Sequence, residues 1–483
     1  MSNAVVEMNG YELSEAIHAK KVSCREVMQA YLDQIERVNP RVNAIVTMVD
    51  SDELLKAADE KDKALAAGND QGWMHGFPQA VKDLAATKGI RTTKGAVVLK
   101  DWVPDYDEPQ VTDMKNAGAI VIGKTNTPEY GYGSQTYNEV FGATGNPYDE
   151  TKTSGGSSGG AACAVALRMQ AVADGSDYMG SLRNPAGYCN VFGYRPSLGC
   201  VPADAAEQFT NTMMAVGPMA RTVADIALLL GTLCGYNAKY PLTKEADWRL
   251  KALTPKNVRT ALEKDPKGAR VAWLPDWGGK LPLEAGVEDT CKAALDNMAS
   301  VGVKIDEIEP FYDMDEFWEK IWLPIRHYSA SALKPIYDQG KGHLLKPEAQ
   351  WEYEGSVSEN VHTLFDAFAR RTDFYNKMMK VYEEYDFIVT PSAAVFPFDK
   401  NVHWPKEIAG RKMQTYHNWM EIVTPWTMGG NAIIAVPAGF GGAEHQSIGL
   451  QLVAAPRRDF ELLQFARAYE QVNDFVGRFP PEY

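Results

Sequence analysis

Thr153-Ser154-Gly155-Gly156-Ser157-Ser158-Gly159-Gly160 is the stretch on which the reading of this chain turns. It leads into the small, apolar segment from Gly160 to Met169, which suits a buried helix packed closely on its neighbours. A flexible linker, the ordinary reading of a Gly/Ser run, does not lead into such a segment. Taken alone, the run also fits an anion-binding nest of backbone N–H groups. It matches G-x-S-x-G on both Ser157 and Ser158, the elbow pattern of an α/β-hydrolase.

A second serine-bearing cluster follows, Gly175-Ser176-Asp177-Tyr178-Met179-Gly180-Ser181-Leu182-Arg183. Its bland reading is an ordinary turn before Arg183. Its functional reading is a serine preceded by backbone N–H groups able to face an oxyanion, each worth about 3 kcal/mol in acyl transfer. Upstream lies Gly76-Phe77-Pro78-Gln79-Ala80-Val81-Lys82-Asp83, an apolar lead-in ending in a base. A serine hydroxyl is a poor nucleophile until a base takes its proton. Lysine has an ordinary pKa of about 10.4, so only roughly one in a few thousand is neutral at pH 7. Apolar burial penalises the charged form and lowers that value. Two hydroxyls and a buried lysine therefore suffice for acyl transfer without histidine.

Composition narrows the alternatives. The 483 residues are 45% hydrophobic and 23% charged, ordinary for a globular protein able to bury a large core. A net charge of −14, with no basic run, argues against nucleic acid as a partner. Cys24, Cys163, Cys189, Cys200, Cys234 and Cys291 are scattered and read as free thiols in a reducing compartment. The eight histidines form no ligand spacing, so neither a metal nor a cofactor is called for. Residues 1–7 lack a basic start and an apolar core, and no apolar stretch reaches about 18 residues. A cytoplasmic protein without membrane spans is expected.

Strand and helix signals alternate along the chain. A helix starts at the capping box Ser23-Cys24-Arg25-Glu26 and is expected to stop at Asn39-Pro40. Strands are expected over 44–49, 119–122, 270–274, 303–308, 387–391, 432–436 and 448–453. Helices are expected to about residue 66, near 110–117, and over 222–233, 284–300 and 459–472. Residues 311–385, rich in Trp, Tyr, Phe, Lys and Glu, read as a helical cover over a site. The expectation is an α/β fold, one large domain over residues 1–483 with a central mixed sheet covered by helices on both faces. Gly118-Ala119-Ile120-Val121-Ile122-Gly123-Lys124-Thr125 fits the phosphate-loop pattern of a nucleotide-binding protein. Its middle residues are strand-like, however, and no apolar-faced helix follows.

Taken together, the lysine segment Gly76–Asp83, the core Gly155–Gly160 and the segment Asp177–Arg183 with Pro185-Ala186 resemble the amidase signature family of serine amidohydrolases. Gly123–Glu129, Val436–Phe440 and Gly449–Gln451 add to the likeness, which spans roughly residues 10–240 and 385–475. The resemblance implies a variable, mostly helical covering region at about 245–385. It implies an amidase that opens a carboxamide C–N bond through an acyl-enzyme on Ser181. Ser157, which in the family follows a cis peptide, would relay protons to the base Lys82. The N–H groups of Tyr178, Met179, Gly180 and Ser181 would form the oxyanion hole, supported by Asp177, Arg183, Gly156 and Ser158. The implied partner is a small-molecule amide, with the choice between monomer and homodimer left open. Within the family, carbamate, cyclic-amide or aryl-acylamide hydrolysis and an amidotransferase subunit remain alternatives. Outside it stand the phosphate-loop protein and an α/β-hydrolase using Ser158 and a distant histidine. The chain departs from the family where Met179-Gly180 replaces the common Gly-Gly and where Gln79 replaces an apolar residue.

Overall fold

The apolar runs pair into two principal sheets in the computed structural model, which describes residues 2–478 and 480. Ile45–Met48 (β1), Pro78–Lys82 (β2) and Ile120–Thr125 (β3) form a three-stranded sheet in the order β1-β3-β2. β2 runs parallel to β3, and Lys82 is its last residue.

Among the described residues, the larger sheet has eight strands. They are Val172–Asp177 (β4), Phe192–Arg195 (β5), Ala215–Ala220 (β6), Arg270–Trp273 (β7), Lys304–Glu307 (β8), Phe387–Pro391 (β9), Ala432–Gly441 (β10) and Gln446–Ala454 (β11). Their order is β8-β7-β9-β11-β10-β5-β6-β4. β7 runs parallel to β8 and β9, and the other pairs are antiparallel, so the sheet is mixed as expected.

Register shows which helices cover which face. Phe387 pairs with Ala454 and Val389 with Leu452, so these side chains share one face, where Phe387 stacks on Phe465 of the Asp459–Val472 helix. Gly449 and Gln451 point to the other face, against the Arg183–Tyr188 helix: Arg183 Nη1 donates to Gln451 Oε1 at 2.7 Å. That helix comes very close to the sheet. A Cβ on Gly187 would lie 2.5 Å from Ser392 Oγ and 2.9 Å from Gly449 N.

Two local readings are corrected. The helix that begins at Cys24 does not stop at Asn39-Pro40; it runs to Val42, with Pro40 inside it and Asn43 closing it in the left-handed region. Proline removes one late hydrogen bond, that to the Glu36 carbonyl, and Glu36 is exposed, so water can replace the lost donor. The second glycine cluster is likewise not all turn: Gly175, Ser176 and Asp177 end strand β4.

Between residues 314 and 381 the described chain is predominantly helical. In this stretch the Leu323–Ala330 helix packs on the Pro347–Ser358 helix. Leu333, Leu345 and Ala349 form a small apolar cluster against Tyr130 and Tyr132, which fastens this cover onto the loop after β3.

The Gly187 approach generates the first prediction. Gly187→Ala forces its new methyl group into Ser392 and the β11 backbone, an overpacking cost of about 1–3 kcal/mol. Urea or thermal unfolding should show that loss; a variant as stable as the parent would contradict this packing.

Candidate active site

Three separate segments deliver the predicted residues to one cavity of about 450 Å³, bordered by Lys82, Ser157, Ser176, Tyr178 and Ser181 among others. Lys82 ends β2, Ser157 and Ser158 precede the Gly159–Ala166 helix, and Ser181 follows the turn after β4. Glycines make the approach possible: a Cβ on Gly175 would lie 2.8 Å from Ser158 Oγ. The Gly156–Ser157 peptide is cis, as the family resemblance implied.

Lys82 is buried, and its ammonium nitrogen meets hydroxyl and carbonyl oxygens, not carboxylates. Nζ lies 2.8 Å from Ser157 Oγ, 2.7 Å from Ser158 Oγ, 3.1 Å from Ser176 Oγ and 3.3 Å from the Ser176 carbonyl oxygen. Burial lowers its pKa to about 7, with Asp174 and Asp177 pulling the other way. Asp174 accepts the Lys82 backbone N–H at 3.2 Å, and burial raises its own carboxyl.

Asp177 is treated in the opposite way. Burial alone would raise its pKa, but Arg183, Arg195 and the Leu182 N–H hold its carboxyl well below the usual carboxylate range. Arg183 grips it with Nε and Nη2, both at 2.9 Å. The remaining Arg183 donors reach the Val423 carbonyl at 2.8 Å and Thr427 Oγ1 at 2.7 Å, besides Gln451. The Gly180 and Leu182 N–H groups donate to the same carboxylate at 3.0 and 3.1 Å, which fixes the turn carrying Ser181. Gly180 has φ +82°, the left-handed region that a glycine adopts without a Cβ clash.

This geometry revises one expectation. The Gly180 N–H already donates to Asp177 Oδ1 and so is not a free oxyanion donor. Among the described residues, the N–H groups of Tyr178, Met179 and Ser181 are not taken up by turn or loop bonds. Gln79, the polar departure in the lysine segment, is buried beside Gln170, whose Oε1 accepts the Ala80 N–H at 2.8 Å.

The competing site readings find no support. Ile120–Thr125 is strand β3, hydrogen-bonded on both sides, and Lys124 is buried with Nζ 2.6 Å from the Ala85 carbonyl and 2.7 Å from Thr87 Oγ1. It forms no phosphate cradle. Among the described residues no histidine borders the cavity or bonds Ser158, so the α/β-hydrolase arrangement has no base. Sequence reasoning also missed Arg326 and Ser329 of the Leu323–Ala330 helix, which border the cavity; neither sits in a motif.

The family model described as Amidase matches residues 26–463. An acylamidase of Rhodococcus erythropolis is 32% identical over 480 residues, covering 98% of this chain and 97% of that protein. A glutamyl-tRNA(Gln) amidotransferase subunit of Thermosynechococcus vestitus is 32% identical over 494 residues, covering 97% and 98%. Among solved structures, a bacterial aryl acylamidase of the amidase signature enzymes superposes with a TM-score of 0.89 at 24% identity, covering 99% of each chain. A 6-aminohexanoate cyclic dimer hydrolase gives 0.82 at 23% identity, again covering 99% of each. These two share the fold. With a family model spanning nearly the whole chain and relatives aligned almost end to end, this chain belongs to the amidase family.

Proposed function

We propose that this amidase-family enzyme hydrolyses a carboxamide C–N bond with Ser181 as nucleophile, Ser157 as proton relay and Lys82 as base. The observation that carries this reading is a buried lysine, 2.8 Å from Ser157 Oγ, with its pKa lowered to about 7 in the cavity that Ser181 borders. A lysine exposed to water is protonated and cannot accept a proton at neutral pH; this one is poised between its two states.

In the proposed cycle, neutral Lys82 takes the Ser157 hydroxyl proton while Ser157 takes that of Ser181. Ser181 Oγ then forms its bond to the substrate carbonyl carbon. The resulting oxyanion is met by the N–H groups of Tyr178, Met179 and Ser181. Collapse breaks the C–N bond, and the relay returns a proton to the departing amine nitrogen. Water, deprotonated through the same relay, cleaves the Ser181 ester and regenerates the free hydroxyl. Asp177 and Arg183 hold the turn that presents these donors and do not exchange protons.

The cavity walls favour acylamides with bulky apolar parts. Tyr130, Tyr132, Tyr178, Met214 and Leu333 border the space beside the proposed nucleophile. The acylamidase and the amidotransferase subunit are equally similar to this chain, so it is this lining that favours an amide hydrolase acting on its own. Copurification of a stable partner protein would reverse that preference.

Ser181→Ala should lower kcat/KM on any cleaved amide by at least about 10⁴-fold and abolish labelling by a fluorophosphonate serine probe. Full activity in that variant would remove Ser181 from the mechanism. Ser157→Ala should be almost as damaging, whereas Ser158→Ala should cost far less, although both serines touch Lys82.

The pH dependence follows from Lys82. Its protonated form, dominant below about 7, cannot accept a proton. kcat/KM should therefore rise about tenfold per pH unit toward 7 and level off above it. A profile that falls as pH rises through this range would exclude Lys82 as the base.

A further inference from the structure

Arg326 is buried on the Leu323–Ala330 helix yet borders the cavity. Its Nε donates to Glu352 Oε1 at 2.7 Å and its Nη2 to the Tyr416 hydroxyl at 3.2 Å. The rings of Tyr132 and Tyr178 flank the guanidinium, with centroids 5.0 and 4.6 Å from its central carbon. Tyr178 is held in turn by a hydrogen bond between its hydroxyl and Ser329 Oγ. Among the described residues, Arg326 Nη1 has no acceptor in the chain, and it is not one of the unpaired atoms sealed from solvent.

We propose that Arg326 Nη1 is a specificity-determining donor that takes a neutral hydrogen-bond acceptor, a carbonyl or amide oxygen, on the substrate chain beyond the scissile bond. The proposal rests on the amidase reading above and names its substrate class: amides carrying a second acceptor. Two contacts and two rings fix the guanidinium before substrate arrives, so little ordering cost remains on binding. Leu84, Met214, Val216, Leu333 and Ile336 form apolar wall around the same space. A plain hydrocarbon chain lying there would leave the Nη1 N–H groups covered and without an acceptor, the situation that lets a site reject an analogue lacking the acceptor.

Charge selects a neutral acceptor over a carboxylate. Glu352 already pairs with the guanidinium, and of the other charged groups at that cavity Lys94 stands against the two carboxyl groups of Glu108 and Asp204, so they add no net positive charge. A substrate carboxylate would have to shed its water for a cation that is already compensated. A carbonyl oxygen sheds much less.

The test uses the full-length enzyme and two series of small amides. In one the acyl chain, in the other the amine chain, ends in a methyl, a carboxamide or a carboxylate. In at least one series the carboxamide-ended substrate should exceed its methyl-ended partner in kcat/KM by about tenfold, and exceed the carboxylate-ended one as well. Arg326→Met combined with Glu352→Gln, which leaves no buried carboxylate unpaired, should bring the carboxamide-to-methyl ratio toward one. Equal turnover of carboxamide- and methyl-ended substrates by the wild-type enzyme in both series, or a preference for the carboxylate, overturns the proposal and leaves the amidase reading standing. No turnover of any simple amide, together with no serine-probe labelling at Ser181, overturns the amidase reading itself.

Discussion

A carboxylate without water is the constraint on which this site depends. Asp177 is fully buried, and a buried charge persists only when paired and hydrogen-bonded. Arg183 and Arg195 supply the pairing, and the Gly180 and Leu182 N–H groups complete it. Because Arg183 also binds Val423, Thr427 and Gln451, one ion pair ties the end of β4, the Ser181 turn, β11 and the segment around residue 425 into one rigid piece. Removing Asp177 would leave buried arginines without their counter-charge, so the turn cannot relax without losing the pair.

Lys82 shows the same physics with the opposite outcome. It is as deeply buried, but the groups within hydrogen-bond distance of its Nζ are oxygens of Ser157, Ser158 and Ser176. Without a carboxylate in contact, desolvation wins and the ammonium becomes easy to deprotonate. In water an aspartate and a lysine are both simply charged at neutral pH; here burial and pairing give them different fates. Asp177 is locked in its charged state while Lys82 is poised to change. Lys124, also buried, meets the Ala85 carbonyl and Thr87 and takes no part in the cavity.

The helical cover also borders the cavity, through Arg326, Ser329 and Leu333 among others. Its apolar cluster against Tyr130 and Tyr132 seats it, and the Arg326–Glu352 pair gives it a polar feature facing inward. The proposed reacting groups thus come from the segments whose motifs resemble the family, and the groups proposed to choose the substrate come from the cover.

Much of this was legible from residue order. Residue type and context marked Lys82, the Ser157-Ser158 pair and Ser181 as candidates, and the resemblance to the amidase signature family singled out Ser157 and implied the three roles. Most strands and helices followed from periodicity, and the strand character of 119–122 was enough to disfavour the phosphate-loop reading. What periodicity could not convey was accessibility and partnership. Residue order leaves the Gly180 N–H available as an oxyanion donor, whereas Asp177 takes it in the folded chain; likewise Pro40 reads as a stop, yet the exposed backbone there does without one bond. Arg326 lies more than a hundred residues from Ser181 in an unpatterned stretch, so nothing local marked it. The sequence by itself determined the chemistry available, because reactivity belongs to side-chain types, and the glycines that permit close approach. Only the tertiary structure decided which charges are paired, which lysine is desolvated without a carboxylate in contact and which donors border the cavity, because desolvation and pairing depend on distant segments meeting in space.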